Sequence, residues 1–369
     1  MKTLKPNQKA KNLIATLVAS TALIAGVAPM ASAQEVIPIT VGSSHPTTIP
    51  WVGMIPNVLI PAVDRILAED GRYEIDWTEA YAGQLYGVNA TLTSVQDGIA
   101  DMGWVFSYLE PSRMPLAQIS AYTPFTTSDP ELILDVMNDL MFNVPEFKDE
   151  WDRHDLVLLG LTGSDTYDIY TNFPVNSIDD LRGRRISAPG VLGVWLNPVG
   201  AVPVDGTLAS YYTDIQTGVS EGVVGLATGN LPARIYEVAP YITRVNLGVV
   251  FSGGIAMNRY TFEDLPEFVQ EAFVQAGQEY TLAHGRDLAE RYQSSIDAMV
   301  ELGAEQRTPV TVIDLTAAER QRWIDNMPNL ADQWVERNEE RGEPAGELLS
   351  VYMNAMRERG FEPERAWDQ

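Results

Sequence analysis

Aromatic side chains stand near the carboxyl ends of the strands that the sequence predicts. Trp51 follows the first predicted strand, Tyr81 follows the second, Trp104 and Tyr108 lie at the third, and Tyr167 follows the first strand of a second set. Aromatic rings offer apolar faces and attract cations through their π-electrons. Because the carboxyl ends of parallel strands meet at one crevice, we expect these residues to line a binding cleft. Trp104, within an apolar strand, fits a core position equally well.

Polar candidates lie at the same predicted edge. His45 ends the first strand, and Asp165 and Asp168 bracket Tyr167. The two carboxylates could balance a cationic ligand, although loop carboxylates also commonly cap turns. His45 and Asp168 are therefore included among the expected ligand contacts.

Few residues could support catalysis or hold a metal. The chain has no cysteine and three histidines, and it contains no G-x-S-x-G, Walker or G-x-G-x-x-G motif. We expect no cofactor, no metal and no enzyme activity. Glu79 near a strand end, with Asp101 across the predicted sheet, leaves one alternative of another class, a secreted carboxylate-dependent hydrolase.

The composition constrains the partners. Fifty acidic and 25 basic side chains give the 369 residues a net charge of −25. Such a charge repels nucleic-acid phosphates, so a nucleic-acid partner is excluded. The 45% hydrophobic content is enough to build a sizeable core, and the length suggests two lobes.

The first 33 residues have the pattern of a secretory signal peptide. Four lysines precede the apolar run from Leu13 to Val27, and small residues at Ala31 to Ala33 predict cleavage near Ala33. No later segment approaches 18 uncharged apolar residues. We therefore expect an exported, periplasmic protein that is not embedded in the membrane.

The elements that must position the cleft alternate between strands and helices, which predicts an α/β fold. Strands are expected at residues 37–43, 73–77 and 101–106, then at 156–161, 185–188, 202–204 and 222–227, with a helix over 55–67 and a helical segment over 89–100. Apolar residues from about Leu265 to Leu302 keep helical spacing without an internal proline after Pro266, which predicts one long helix that touches both lobes. We expect residues 1–33 to form the signal peptide and residues 34–155 to form lobe I. Residues 156–260 are expected to form lobe II, with part of the sheet shared, and residues 261–369 to form the long helix and the C-terminal helices, which pack on both lobes.

Five segments, in order and spacing, resemble one known family. They are YAGQL at residues 81–85, VQDGIADM at 95–102, NSIDDLRG at 176–183, GAVPV at 200–204 and YTDIQTGVSEG at 212–222. The chain, from about residue 37 to 305, resembles the solute-binding proteins of tripartite ATP-independent periplasmic (TRAP) transporters of the dicarboxylate-binding (DctP) type.

The resemblance implies a two-lobed periplasmic-binding-protein fold in which one long helix spans both lobes. It also implies a receptor that closes on a small molecule in an interlobe cleft and delivers it to the TRAP membrane permease subunits. In that family, the place of His45 often contacts the ligand. We expect the receptor to act as a monomer.

The departures from the family pattern bear on the ligand. Ser187 aligns with the arginine that in most relatives binds a ligand carboxylate through two hydrogen bonds. Tyr167 aligns with a second arginine of some acid-binding relatives, and Gly225 with a further polar contact. These replacements favour a neutral or amine-bearing ligand. Arg185 lies two residues before Ser187 on the same strand face, so a shifted register that restores an organic-acid site stays an alternative.

Overall fold

The computed structural model describes residues 34–369, and the predicted signal peptide (residues 1–33) lies outside this range. The described residues form two β-sheets surrounded by helices, which confirms the α/β class. The strands are β1 Glu35–Gly42, β2 Tyr73–Ala80, β3 Met102–Val105, β4 Leu156–Gly163, β5 Tyr167–Thr171, β6 Arg185–Ala188, β7 Val202–Asp205, β8 Gly222–Leu226, β9 Tyr241–Arg244, β10 Phe251–Asn258 and β11 Thr311–Asp314. The α-helices are α1 Pro50–Met54, α2 Ile60–Asp70, α3 Thr91–Gln96, α4 Pro130–Asn143, α5 Pro145–Asp152, α6 Tyr211–Gln216, α7 Ala227–Asn230, α8 Arg259–Asp264, α9 Glu267–Leu302, α10 Ala317–Asn326, α11 Leu330–Glu339 and α12 Ala345–Glu358.

Each lobe is built on one sheet. The first sheet has the order β2-β1-β3-β10-β4, in which β1 is parallel to β2 and β3 while β10 is antiparallel to β3 and β4. The second has the order β11-β9-β5-β8-β6-β7, in which β6 is parallel to β7 and β8 while β5 is antiparallel to β8 and β9. The parallel strands point their carboxyl ends toward the region between the sheets, where the sequence predicts the cleft.

The first βαβ unit forms as its sequence indicates. In β1, Ile39 and Val41 are buried on one face, and the helical stretch after it begins at Pro50, a residue favoured in the first turn. The stretch is continuous through α1 and α2 and ends at Gly71, whose φ of 72° is the left-handed conformation that glycine adopts without strain. By length and composition this stretch could span a membrane, but 61% of its most apolar window is buried inside the protein.

The strand pairing shows which strand after residue 156 belongs to the first sheet. We expected lobe II to begin at residue 156 with part of the sheet shared, and β4 pairs with β10 in the first sheet. The sequence identifies β4 as a strand but carries no signal for its partner, which lies about a hundred residues later. The chain crosses to the second sheet over residues 164–166 and returns over 245–250. These two crossover segments bond to each other, since Ser164 N donates to Val250 O at 3.0 Å and Tyr167 N donates to Gly248 O at 3.0 Å.

The helix α9 packs against both lobes, as the sequence predicts. It has 36 residues, so at 1.5 Å per residue it is about 54 Å long. Its N-terminal half buries Phe273, Ala276 and Tyr280 in the core of the first sheet. Ile296 and Met299, near its C-terminus, belong to a cluster around the second sheet.

The helix α9 approaches the first sheet closely at two glycines. A Cβ atom at Gly277 would lie 2.0 Å from the carbonyl oxygen of Leu159, and one at Gly160 would lie 2.5 Å from the carbonyl oxygen of Gly277. Both neighbours are backbone atoms that cannot rotate away. The helix therefore lies directly on the backbone of β4.

Because of this contact, we expect one added methyl group at residue 277 to destabilise the fold. Gly277→Ala is expected to lower the free energy of unfolding by about 2 kcal/mol or more, because overpacking outweighs the usual gain of alanine in a helix. Urea unfolding measures the change. The control is Gly346→Ala in α12, where the nearest atom to a new Cβ is the flexible end of Glu339 at 3.2 Å. Equal stability of the wild type and Gly277→Ala would contradict the close packing.

Candidate ligand-binding site

A small cavity lies between the two sheets, beyond the carboxyl ends of their parallel strands. Its volume is about 30 Å³. The first lobe contributes His45, Trp51, Phe106 and Tyr108, and the second contributes Tyr167, Pro189, Thr207, Leu208, Tyr211, Val224, Gly225, Leu226 and Asn230. A larger, open groove of about 550 Å³ lies between α4 and α9, away from the strand ends. The interlobe cavity is therefore the candidate site.

The wall from the first lobe is a cluster of rings. The centroid of the His45 ring lies 6.0 Å from that of Trp51 and 5.4 Å from that of Trp104, and the Phe106 and Tyr108 rings meet edge to face at 4.1 Å. Trp104 supports this wall from behind, because it does not line the cavity and its Nε1 donates to Thr162 Oγ1 at 3.0 Å. Of the two roles considered for Trp104, the structure places it in the core.

His45 is a neutral member of this wall. Burial disfavours the imidazolium form and lowers the pKa of His45 from 6.5 to about 4. Its Nδ1 lies 3.0 Å from the hydroxyl of Ser44, while its ring lines the cavity. At neutral pH the residue therefore presents an uncharged ring to the cavity.

The wall from the second lobe presents tyrosine rings and one amide. The rings of Tyr167 and Trp195 meet edge to face at 5.8 Å, and Tyr211 donates its hydroxyl to the carbonyl oxygen of Gly206 at 3.3 Å. Burial raises the pKa of Tyr108, Tyr167 and Tyr211. Their hydroxyls are thus neutral donors and acceptors at any physiological pH.

Asn230 is fully buried at the end of α7, and neither its Oδ1 nor its Nδ2 has a hydrogen-bond partner within the described structure. The start of α7 is held by Asp165, whose carboxylate accepts from Ala227 N at 2.8 Å and from the Thr228 hydroxyl at 2.6 Å. Burial raises the pKa of Asp165 to about 6. Asp165 therefore positions the segment that carries Asn230, and its oxygens are already engaged.

The structure brings five of the ten predicted contacts to the cavity: His45, Trp51, Tyr108, Tyr167 and Gly225. Asp168 is not among them. Its Oδ1 accepts from Val245 N at 2.7 Å and from Asn246 N at 2.9 Å, and its Oδ2 accepts from the Tyr292 hydroxyl at 2.7 Å. This carboxylate joins the crossover segment of residues 245–250 to α9 and does not line the cavity.

Tyr81, Arg185 and Ser187 also lie outside the cavity lining. Tyr81 is partly exposed and donates its hydroxyl to Glu79 Oε2 at 2.8 Å. The Arg185 side chain is 51% exposed at the start of β6, with its Nε 4.0 Å from Glu221 Oε2. Neither residue lines the cavity, and in each case the side chain has a carboxylate partner near the surface.

Ser187 is fully buried, and its hydroxyl has no partner in the described chain. It pairs in register with Val223 of β8, whose side chain belongs to the cluster under the second sheet. The neighbouring Ala188, adjacent to Pro189 of the lining, points to the other face by strand alternation. Thus the position aligned with the family arginine holds a small, uncharged side chain that is not among the residues lining the cavity.

Sequence reasoning missed eight lining residues: Phe106, Pro189, Thr207, Leu208, Tyr211, Val224, Leu226 and Asn230. The rule that placed Trp51 and Tyr81 also indicates several of these, since Pro189 follows β6, Thr207 follows β7 and Asn230 follows β8. None of the thirteen lining residues carries a charge at neutral pH. Within residues 34–369, no group of three or more histidine, aspartate or glutamate residues could hold a metal ion.

Comparison with known families agrees with this fold. Residues 67–338 match the family model DctP, described as bacterial extracellular solute-binding protein, family 7. The match spans well over half of the chain. The protein belongs to this family.

Two curated relatives of this family 7 protein align over part of its chain. A solute-binding protein of Sulfitobacter sp. strain NAS-14.1 is 30% identical over 155 residues, which is 41% of this chain and 46% of the relative. The C4-dicarboxylate-binding periplasmic protein DctP of Rhodobacter capsulatus is 27% identical over 190 residues, which is 48% of this chain and 54% of the relative. The chain thus matches about half the length of these relatives.

Solved structures of TRAP solute-binding proteins share the two-lobed fold. One, from a marine metagenome and specific for aromatic acid ligands, is in complex with 3-hydroxybenzoate; its TM-score is 0.76 at 18% identity, covering 90% of this chain and 100% of that one. DctP7 of Bordetella pertussis, which binds pyroglutamic acid, has a TM-score of 0.72 at 18% identity, covering 85% and 99%. These similarities confirm the fold of the family 7 protein.

The burial of His45 predicts a pH dependence of stability. The unfolded chain takes up a proton on this residue near pH 6.5, whereas the folded protein does so only near pH 4. The contribution of His45 to stability is therefore present above pH 6.5 and is lost as the pH falls to about 4. When the pH falls from 6.5 to 4, the free energy of unfolding of His45→Gln is expected to decrease by roughly 2 to 3 kcal/mol less than that of the wild type.

Urea unfolding at a series of pH values measures this difference. The variant and the wild type share all other titrating groups, including His284, whose pKa is also lowered by burial, and Asp165, whose pKa is raised. Their effects cancel in the comparison. Parallel stability curves from pH 6.5 to pH 4 would show that His45 is hydrated in the folded protein.

Proposed function

We propose that the protein is the extracytoplasmic receptor of a TRAP transporter, that it closes on a small uncharged molecule between its lobes, and that it delivers this molecule to the membrane permease. Family membership supports the receptor role, and the predicted signal peptide supports a periplasmic location. The observation that carries the ligand class is the absence of any charged side chain from the cavity lining within residues 34–369.

Binding in such a cleft is a conformational equilibrium. A ligand that contacts both lobes stabilises the closed state relative to the open one, by an amount set by its extra contacts in the closed state. The cavity takes its walls from both lobes, including Tyr167 at the start of β5. A volume of about 30 Å³ holds two or three water molecules, so the ligand is either very small or holds the lobes slightly further apart.

An acidic ligand is disfavoured by the electrostatics of this cavity. A carboxylate removed from water needs a charged partner or several hydrogen bonds. Ser187 replaces the arginine that would supply the charge, His45 is neutral, and Arg185 is held at the surface. The protein is therefore proposed to differ in ligand charge from the two acid-binding receptors whose fold it shares.

An amine-bearing ligand is disfavoured for the complementary reason. The acidic residues nearest to Tyr167 in sequence are Asp165 and Asp168, and both are fully buried and accept hydrogen bonds from backbone N–H groups. Neither lines the cavity. Of the two ligand types that the sequence favours, the structure supports the neutral one.

The hydrolase alternative receives no support from the proposed carboxylate pair. Asp101 accepts from Thr40 N at 2.7 Å and lies 3.4 Å from the Thr261 hydroxyl, while Glu79 accepts from Tyr81. Neither carboxylate lines the interlobe cavity. We propose that the protein binds its ligand without converting it.

The charge of the ligand can be tested with matched pairs. We expect 2-pyrrolidinone to bind more tightly than pyroglutamate, and 3-hydroxybenzyl alcohol more tightly than 3-hydroxybenzoate, each by at least about tenfold, because a buried unpaired carboxylate costs more than 1.4 kcal/mol. Isothermal titration calorimetry on the purified protein measures both pairs. Tighter binding of either acid than of its neutral counterpart would refute the proposed ligand class.

A variant separates the neutral site from the alternative acid site. Arg185→Ala is expected to leave the affinity for the neutral member of each pair unchanged within about twofold, since its side chain is solvated and near Glu221. The matched control is Arg182→Ala, another exposed arginine of the same segment. A carboxylate ligand whose binding is lost in Arg185→Ala and kept in Arg182→Ala would establish the acid site instead.

A further inference from the structure

The amide of Asn230 is the most specific polar feature of the cavity. The side chain is 0% exposed and lines the cavity, and both Oδ1 and Nδ2 have no partner in the described residues. A buried donor or acceptor without a partner costs about 1 to 3 kcal/mol. Two such atoms on one side chain indicate that a bound molecule supplies the missing partners.

Gly225 makes the room that this amide occupies. A Cβ atom at Gly225 would lie 2.3 Å from Asn230 Nδ2 and 3.0 Å from Asn230 Oδ1. Any other residue at 225 must displace the amide from its place at the cavity wall. Gly225 aligns with a polar contact of the relatives, and its missing side chain leaves the space in which Asn230 provides a polar group instead.

The opposite wall holds a second unsatisfied group. Trp51 is buried in the first lobe, lines the cavity, and its Nε1 has no hydrogen-bond partner within the described chain. Indole N–H is a donor only, whereas the Asn230 amide offers a donor and an acceptor on adjacent atoms. A lining residue of each lobe thus has a donor without a partner, and at Asn230 an acceptor accompanies it.

We infer that the ligand carries a carboxamide or lactam group, whose carbonyl oxygen accepts from Asn230 Nδ2 and whose N–H donates to Asn230 Oδ1. The second lone pair of that oxygen is left for Trp51 Nε1 on the other lobe. A planar amide also packs well against the aromatic walls. This inference rests on the proposed function, in which the protein closes on an uncharged molecule.

Other common groups leave one of these atoms without a partner. A carboxylate cannot donate to Oδ1, an ammonium group cannot accept from Nδ2 or Trp51, and a ketone has no donor. A site with buried polar groups discriminates strongly against a molecule that leaves them unpaired. A vicinal diol offers both a donor and an acceptor, and the experiment distinguishes it from the amide.

The test compares three small molecules by calorimetry on the purified protein. The probes are 2-pyrrolidinone, N-methyl-2-pyrrolidinone, which has lost the N–H donor, and 1,2-propanediol. We expect 2-pyrrolidinone to bind at least tenfold more tightly than the other two. Undetectable binding of 2-pyrrolidinone at millimolar concentration, or equal or tighter binding of either other probe, would overturn the inference.

Variants assign the preference to Asn230. Asn230→Asp removes the donor and is expected to weaken binding of 2-pyrrolidinone at least tenfold, and Gly225→Ala is expected to do the same by displacing the amide. Asn89→Asp, at an exposed position, makes the same change of charge and is expected to have no effect. Circular dichroism verifies that each variant is folded, and the comparison of probes on the wild type needs no variant. Undiminished binding of 2-pyrrolidinone by folded Asn230→Asp would also overturn the inference.

The outcomes separate this inference from the proposed function. If 1,2-propanediol binds and 2-pyrrolidinone does not, the amide is refuted while an uncharged ligand is retained. If pyroglutamate binds more tightly than 2-pyrrolidinone, the uncharged ligand itself is refuted.

Discussion

A carboxyl group that is removed from water must receive hydrogen bonds in compensation, and the protein meets this constraint twice where its chain passes between the sheets. Asp165 and Asp168 are both fully buried, and burial raises the pKa of each. Asp165 is bonded to the start of α7, and Asp168 to the second crossover segment and to Tyr292 of α9. The cavity depends on these bonds, because they connect the crossover segments to the elements that carry its walls.

The sequence predicts the elements of this fold well where the evidence is local. The strand β6 has the predicted bounds, and the long helix begins within two residues of its expected start and ends at Leu302. The pairing of β4 with β10 was not predictable in the same way, since it joins segments far apart in the chain. Apolar alternation identifies a strand, but it does not identify the neighbour with which the strand pairs.

In the candidate site, too, features that depend on local sequence were predictable and features that depend on distant segments were not. The strand-end rule indicates Trp51, Tyr108 and Tyr167, which line the cavity, and it depends only on the order of strands and helices. It could not tell that Asp168 bonds to backbone N–H groups, or that Arg185 lies beside Glu221. Those outcomes depend on side-chain direction and on partners from other segments. The same rule also indicates Asn230, which follows β8, but the space that Gly225 leaves for its amide depends on the packing of two segments.

The surface and the cavity differ sharply in charge. The chain carries a net charge of −25, whereas the described cavity lining carries none. An acidic exterior repels anions over about a Debye length, roughly 8 Å at physiological ionic strength, and leaves neutral molecules unaffected. For the uncharged ligand that we propose, the acidic exterior causes no repulsion during approach, and the uncharged lining leaves no charge unpaired on binding.

The contact of Gly277 with the backbone of β4 has a mechanical consequence. No side chain stands between helix and strand at this point, so no change of rotamer can loosen them. We therefore expect the N-terminal half of α9 and the first sheet to move as one rigid body. Any swing of the second sheet then has to be absorbed by the crossover segments and by sliding over Ile296 and Met299. The second sheet can then move along the long helix without any bending of the helix axis.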